Sequence, residues 1–174
     1  MNLPNTVKEA DEIPFSDYEE FLNLEKAGKV RIETVYDGHL VPSLGDTQEI
    51  IMNRILVYSL LVIAIILVAI PFIFSNFWFL FGIPLAILGF FLSTPFFMNS
   101  IGHFIDIITF TYFVYSLIIG NFLNAVLAGS YVFPNYIVSV ARTQCDMIIR
   151  RSTLKSESVF IELFYYKKIF INKI

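Results

Sequence analysis

The sequence predicts an all-α integral membrane protein: a four-helix, alternatively three-helix, transmembrane bundle with a small cytoplasmic α+β cap formed by its two ends. Three observations carry this prediction. The 87 residues between Arg54 and Arg142 contain only two ionisable side chains besides tyrosines, His103 and Asp106. A water-soluble domain of that length needs a charged face. The chain as a whole is 56% hydrophobic and 16% charged, against about 25% charged in soluble domains. The charge is also split by sign. Residues 1–50 hold eleven acids and four bases, whereas residues 142–174 hold seven bases and three acids. Three regions follow: an acidic cytoplasmic N-terminal region, 1–50, containing a short helix and a strand; an apolar helical bundle, 51–141; and a basic cytoplasmic tail, 142–174.

Residues 1–13 are polar and acidic at the start and read as a loosely held tail. They lack the basic start and apolar run of a cleavable signal peptide, so insertion is expected to rely on the first internal apolar segment. Ser16-Asp17-Tyr18-Glu19 has the form of a capping box. A helix is predicted from Asp17 to about Ala27, with Gly28 as its left-handed stop. Residues 29–37 then alternate, placing Val30, Ile32, Thr34 and Tyr36 on one side of a strand. Asp37-Gly38 signals a turn, His39-Leu40-Val41 a possible return strand, and Pro42 to Gly45 a loop.

Asp46-Thr47-Gln48-Glu49 is a second capping pattern. A helix starting there runs on into the first predicted span, Ile55–Phe74, whose 20 residues suffice for about 30 Å of hydrocarbon. Ser75-Asn76 marks a turn. The second span is Phe77–Met98, opened by the interfacial aromatics Phe77, Trp78 and Phe79. Residues 101–141 allow two readings. One long helix, about Phe104 to Gly129, gives three spans. Two helices, Ile101–Ile119 and Ala125–Ala141, hinged at residues 120–124, give four.

Topology favours four. Both ends then share a side, and Arg54, Arg142, Arg150, Arg151 and Lys155 all lie on it, as the positive-inside tendency requires. The weak point is the last span, which carries Pro134 and Asn135. Beyond it, Met147 to Arg151 read as a helix leaving the membrane surface. Residues 159–171 fit a strand slightly better than a helix, because of their β-branched and aromatic content. Such a strand would pair with residues 29–37. The rival is a basic amphipathic helix on anionic lipid through Lys167, Lys168 and Lys173.

Asp106 is the only carboxylate of the apolar region. An acid in hydrocarbon costs several kcal/mol, roughly, and marks a candidate site. His103 sits three residues earlier on the same helical face. With Asn121 and Asn124 they form a candidate intramembrane polar site, against the blander reading of an interfacial cap and turn residues. Gly82, Ala86, Gly89 and Ser93 recur at helical steps and predict a smooth helix-packing groove. Ser116, Gly120, Asn124 and Ala128 make a similar ladder only if the three-span reading holds. Pro71, Pro84 and Pro95 suit kinks and helix ends, or a broken-helix site. Arg54, Arg142, Arg150, Arg151, Lys167 and Lys168 are membrane-surface and topology residues.

The single cysteine, Cys145, excludes an internal disulfide and a cysteine cluster for zinc. The two histidines are too few for a histidine-based metal centre, and no phosphate loop or nucleophile–base motif is present. No catalytic residue, metal ligand or cofactor site is therefore predicted. The expected partners are the lipid bilayer, further copies of the chain and/or a cytosolic protein, and no nucleic acid. The expected function is a non-enzymatic membrane subunit that anchors, senses or docks, of a size that fits accessory proteins of bacterial stress, immunity or antiviral defence systems in the inner membrane. An oligomeric pore or small transporter lined by Asp106, Ser116, Asn121 and Asn124 is the alternative.

Overall fold

The computed structural model describes residues 3–10, 12–93 and 100–174, with side chains given from residue 104 onwards in the last segment. The protein is mostly helical, with one two-stranded sheet. Two of its helices are long and apolar enough to cross a membrane. The chain forms two compact units: Met1–Ile50 together with Arg142–Ile174, and Ile51–Ala141.

The first unit joins the two ends of the chain. Helix α1 (Tyr18–Lys26) is capped by Asp17, whose carboxylate accepts from the Glu20 amide at 2.8 Å. Glu20 in turn accepts from the Ser16 amide and hydroxyl at 2.7 and 2.8 Å. The cap is thus one residue later than the Ser16–Glu19 pairing expected, because aspartate takes the N-cap and its own third helical residue reaches back. Strand β1 (Val30–Thr34) buries Val30 and Ile32. It pairs antiparallel with β2 (Ile169–Lys173), with Val30 opposite Lys173 and Thr34 opposite Ile169.

Three expectations fail in this unit. Residues 38–40 form a 3-10 turn and α2 (Val41–Leu44) a short helix, instead of a return strand and loop. The Asp37 carboxylate accepts from the His39 amide at 3.0 Å, which turns the chain into the helical region rather than into a hairpin. Residues 159–165 belong to helix α7 (Glu157–Tyr165), and only residues 169–173 are strand. Ser156 caps α7, and Phe160, Ile161 and Leu163 all face inward, which a strand's alternation cannot achieve. The N-terminal segment is not loose: Val7, Ala10 and Ile13 are buried, and the Val7 amide donates to Glu157 at 2.7 Å. Partners contributed by the far end of the chain hold it, and local composition does not register them.

The core of this unit brings Phe15, Phe21, Val30, Ile32 and Val41 together with Cys145, Ile148, Ile149, Phe160, Ile161, Leu163 and Ile169. The Phe21 and Phe160 rings, both fully buried, lie 4.5 Å apart between centroids. The Tyr18 hydroxyl donates to the Thr153 carbonyl at 2.6 Å. Cys145 is buried, and its thiol donates to the Asp37 carbonyl at 3.4 Å.

Helix α3 (Thr47–Ile73) begins on a complete capping box: the Asp46 carboxylate accepts from the Glu49 amide at 2.9 Å, and Glu49 returns to the Asp46 amide at 2.8 Å. It continues without a break through Ile55–Ile73, with Pro71 buried in its last turn. In the second unit a 3-10 segment, Phe77–Phe81, leads into α4 (Gly82–Leu92). Helical structure thus starts at Phe77, the residue at which the second span is predicted to begin, and the α-helix itself starts five residues later. Its end at Met98, with Pro95 and Asn99, lies outside the described residues. Pro84 falls in the first turn of α4, where a missing amide donor costs little.

Helices α5 (Ser100–Ile118) and α6 (Phe122–Lys155) replace the single long helix of the three-span reading. The chain reverses at Gly120, φ +73°. That break dissolves the ladder of Ser116, Gly120, Asn124 and Ala128 as one helical face. α6 is assigned as one helix from Phe122 past Pro134 and Arg142 to Lys155, so the separate surface helix expected at Met147–Arg151 is part of it.

Helices α1, α3, α5 and α7 end alike. In each, the residue after the cap has positive φ: Gly28 (+68°), Ser75 (+48°), Gly120 (+73°) and Lys167 (+55°). In each, the next amide reaches back to the last turn: Lys29 to the Leu24 carbonyl, Asn76 to Pro71, Asn121 to Ser116 and Lys168 to Leu163. This is the Schellman arrangement, which satisfies the orphan carbonyls of a helix end.

Candidate functional site

Three polar residues of the second unit, Asp106, Tyr131 and Asn135, meet at one place. Asp106 lies in the second turn of α5 and is half-buried. Tyr131 and Asn135 stand one turn apart on α6, 6% and 7% exposed. The Tyr131 hydroxyl donates to Asp106 Oδ1 at 3.1 Å, and the Asn135 amide donates to the same oxygen at 2.7 Å. Asn135 Nδ2 and the Tyr131 hydroxyl are 3.4 Å apart. A neutral phenol and a neutral amide, both inside an apolar bundle, thus converge on one carboxylate. The two donors orient the carboxylate, and neither brings a charge to it.

Beside this cluster lies a groove of about 420 Å³, lined by Asp106, Ile107, Phe110, Thr111, Val132, Asn135, Tyr136 and Ser139. Its walls are mainly aliphatic and aromatic. The Thr111 hydroxyl is already used, donating to the Ile107 carbonyl at 2.8 Å.

The sequence-predicted polar residues are only partly collected here. His103 is in α5 one turn before Asp106, and its side chain lies outside the described residues. Asn121 is elsewhere, exposed, with its side-chain Oδ1 accepting from the Asn124 backbone amide at 3.1 Å. It caps α6, which is the turn role. Asn124 lines a separate groove with Leu85, Thr109 and Tyr131, among others. Ser116 is fully buried. Sequence reasoning missed Tyr131 as a partner and treated Asn135 as a blemish in its span. Their four-residue spacing within an apolar run was the available signal.

Two small residues of α4, Gly82 and Gly89, face α6. Gly82, Gly89 and Ser93 are buried and Ala86 is half-buried. A methyl group at Gly82 would stand 2.6 Å from Ser130 Oγ, and one at Gly89 would meet the backbone carbonyl of Tyr131. Gly82 thus leaves room for the Ser130 side chain, and Gly89 lets the α4 backbone approach that of Tyr131.

The bases of the first unit meet the acids of the N-terminal region. Lys168 Nζ is 2.7 Å from the Asp37 carboxylate, and Arg151 is 2.7 Å from Glu49 and 3.8 Å from Asp46. Arg150 approaches Glu25 at 3.9 Å, and the Arg142 guanidinium lies 5.5 Å from the centroid of the Tyr36 ring. The hydrogen bond from Lys168 and that from the His39 amide hold the Asp37 carboxyl below the ordinary carboxylate range. Lys173 lies over the Phe15 ring at 5.1 Å. Of the three lysines expected to rest on lipid, Lys168 and Lys173 are thus turned to the N-terminal region. Lys167 is exposed. Arg54 is exposed on α3. Among the described residues, no group of three His, Cys, Asp or Glu side chains is placed to hold a metal ion.

No family model, no curated protein and no solved structure matches this chain.

Proposed function

We propose that the chain is a non-enzymatic, multi-pass subunit of a cell membrane. Its four apolar segments cross the bilayer, and its two ends lie together in the cytoplasm as a cap that docks a cytosolic protein. The observation that carries the reading is the antiparallel pairing of β1 with β2. Strands on opposite faces of a bilayer cannot hydrogen-bond, so a paired head and tail imply an even number of crossings. The bases Arg54, Arg142, Arg150 and Arg151 then flank the bilayer on that same side, as the positive-inside tendency favours.

Two further observations support it. Only 11% of the most apolar stretch of α3 is buried within the protein. Ile55, Tyr58, Leu61, Ile65 and Phe72 are all exposed along it. A core helix of a soluble protein buries such residues, whereas lipid covers them at no cost. α5, at 19 residues, reaches about 28 Å at 1.5 Å per residue, close to the hydrocarbon thickness. For docking, the cap carries large exposed side chains, Val35, Tyr36, Tyr166 and Phe170, beyond those that complete its core.

Tags on Leu3 and Ile174, probed in intact and in permeabilised cells, test the topology. Both are expected to be hidden until permeabilisation. An Ile174 tag reachable from outside, with Leu3 hidden, overturns the reading. Photo-crosslinkers at Tyr166 and Phe170 in the full chain test docking: a discrete adduct with a soluble protein is expected, and adducts only with lipid or with the chain itself count against it.

A second reading, an oligomeric pore or small transporter, draws on the Asp106 cluster within an otherwise apolar bundle. Asp106→Asn separates the two. Unchanged ion flux in reconstituted vesicles removes the transport reading and leaves the docking reading intact.

A further inference from the structure

We propose that Asp106, Tyr131 and Asn135 form a binding site for an amphiphilic organic cation: a primary or secondary ammonium group carried on an apolar body. The inference rests on the membrane reading above, and it names what the bundle would sense.

Charge is the first argument. Both hydrogen bonds to the Asp106 carboxylate land on Oδ1, and no described residue donates to Oδ2. Among the described residues no lysine, arginine or histidine forms a salt bridge with it. A carboxylate in apolar surroundings carries a large desolvation penalty, which a cation at the open oxygen relieves. A site meant only for structure would gain more from a lysine or arginine of its own. Two neutral donors, each more than nine-tenths buried, instead orient the carboxylate and leave its charge for something else.

Shape decides what that something is. The adjoining groove measures about 420 Å³. That falls within the range of roughly 300–1,000 Å³ typical of small-molecule sites. An inorganic cation requires several oxygen ligands at short range, and the groove offers mostly carbon. Its aromatic residues, Phe110 and Tyr136, can take an ammonium group against a ring face or pack on the body that carries it. The donor count agrees: an alkylammonium has N–H groups for Oδ2 and an apolar remainder for the walls. Such a molecule partitions into lipid and reaches a bundle groove from there.

The test uses the full chain in nanodiscs of zwitterionic phosphatidylcholine, with empty nanodiscs as the blank. Octylammonium and octanol share a tail and differ in charge. Calorimetric titration is expected to show octylammonium binding at least about tenfold more tightly than octanol, a difference of about 1.4 kcal/mol. Asp106→Asn should abolish that preference. Tyr131→Phe, which keeps the carboxylate, should retain it with weaker binding. Equal binding of both ligands by the unaltered chain overturns the proposal, whatever the variants do. So does a preference that survives Asp106→Asn, since the ammonium would then lie elsewhere. Extraction of membranes with alkaline carbonate keeps the two levels apart. A chain that washes off refutes the membrane reading. A chain that stays embedded and shows no ammonium preference refutes the site alone.

Discussion

Replacing Phe160 by alanine should loosen a strand that lies far away in the sequence. Phe160 is fully buried and packs on Phe21 at 4.5 Å, Tyr18 at 5.8 Å and Phe164 at 6.3 Å between centroids. Removing a buried phenylalanine ring costs about 3–5 kcal/mol in lost transfer energy and cavity. Phe21 and Tyr18 belong to α1, which precedes β1, so the cost falls on both halves of the unit. Amide exchange in the solubilised full chain reads this directly. Wherever exchange proceeds by opening of this unit, about 3 kcal/mol is about two orders of magnitude in protection, at 1.4 kcal/mol per tenfold. The amides that β1 and β2 share should therefore lose about a hundredfold or more, together with those of α7. Adding Phe21→Ala should cost less than it does alone, because the pair couples by about 0.5–1.5 kcal/mol beyond burial. Faster exchange in α7 with β1 unchanged would refute the argument that the two ends fold as one body.

Other outcomes follow from the same geometry. Lys167→Gly relieves a left-handed residue at φ +55° and should stabilise the α7–β2 turn by about 0.5–1 kcal/mol, read as slower exchange in β2, whereas Gly28→Ala at φ +68° should destabilise by a similar amount. Gly89→Ala drives a methyl group into the Tyr131 backbone, and should cost about 1–3 kcal/mol and lower the thermal midpoint in detergent. The acid limb of cap stability should depend on Asp37. Its carboxyl is held below the ordinary range by Lys168, so its contribution is fully present above the unfolded value, about 3.9, and is lost as pH falls through the lower folded value. Asp37→Asn should flatten that part of the profile below about pH 4, measured by protease resistance of the cap. A profile identical to that of the unaltered chain rejects the pairing as a contributor.

Local rules in the sequence located several features correctly. The Asp46–Glu49 capping box, the Gly28 stop and the turn at Ser75-Asn76 each depend on contacts within one helical turn. The break at Gly120 was preferred instead on the charge flanking the apolar region, and in the fold one positive φ there separates two helices. The close approach of α4 to α6 at Gly82 and Gly89 was visible as a run of small residues, because absence of side-chain bulk is itself a local property.

Residue identity along the chain was thus enough to establish the apolar middle, the charge asymmetry of the ends and the limits of α1, α3 and α5, since each follows from neighbours within about four positions. Tertiary contact, with the local cap at Ser156, favoured helix over strand at residues 159–165, where Phe160 and Leu163 must both enter a core that includes Phe21. It also anchored Val7 on Glu157, and it gave Asp106 its partners Tyr131 and Asn135 from another helix. Those outcomes depend on which distant residues meet, and periodicity within a segment carries no record of its partner.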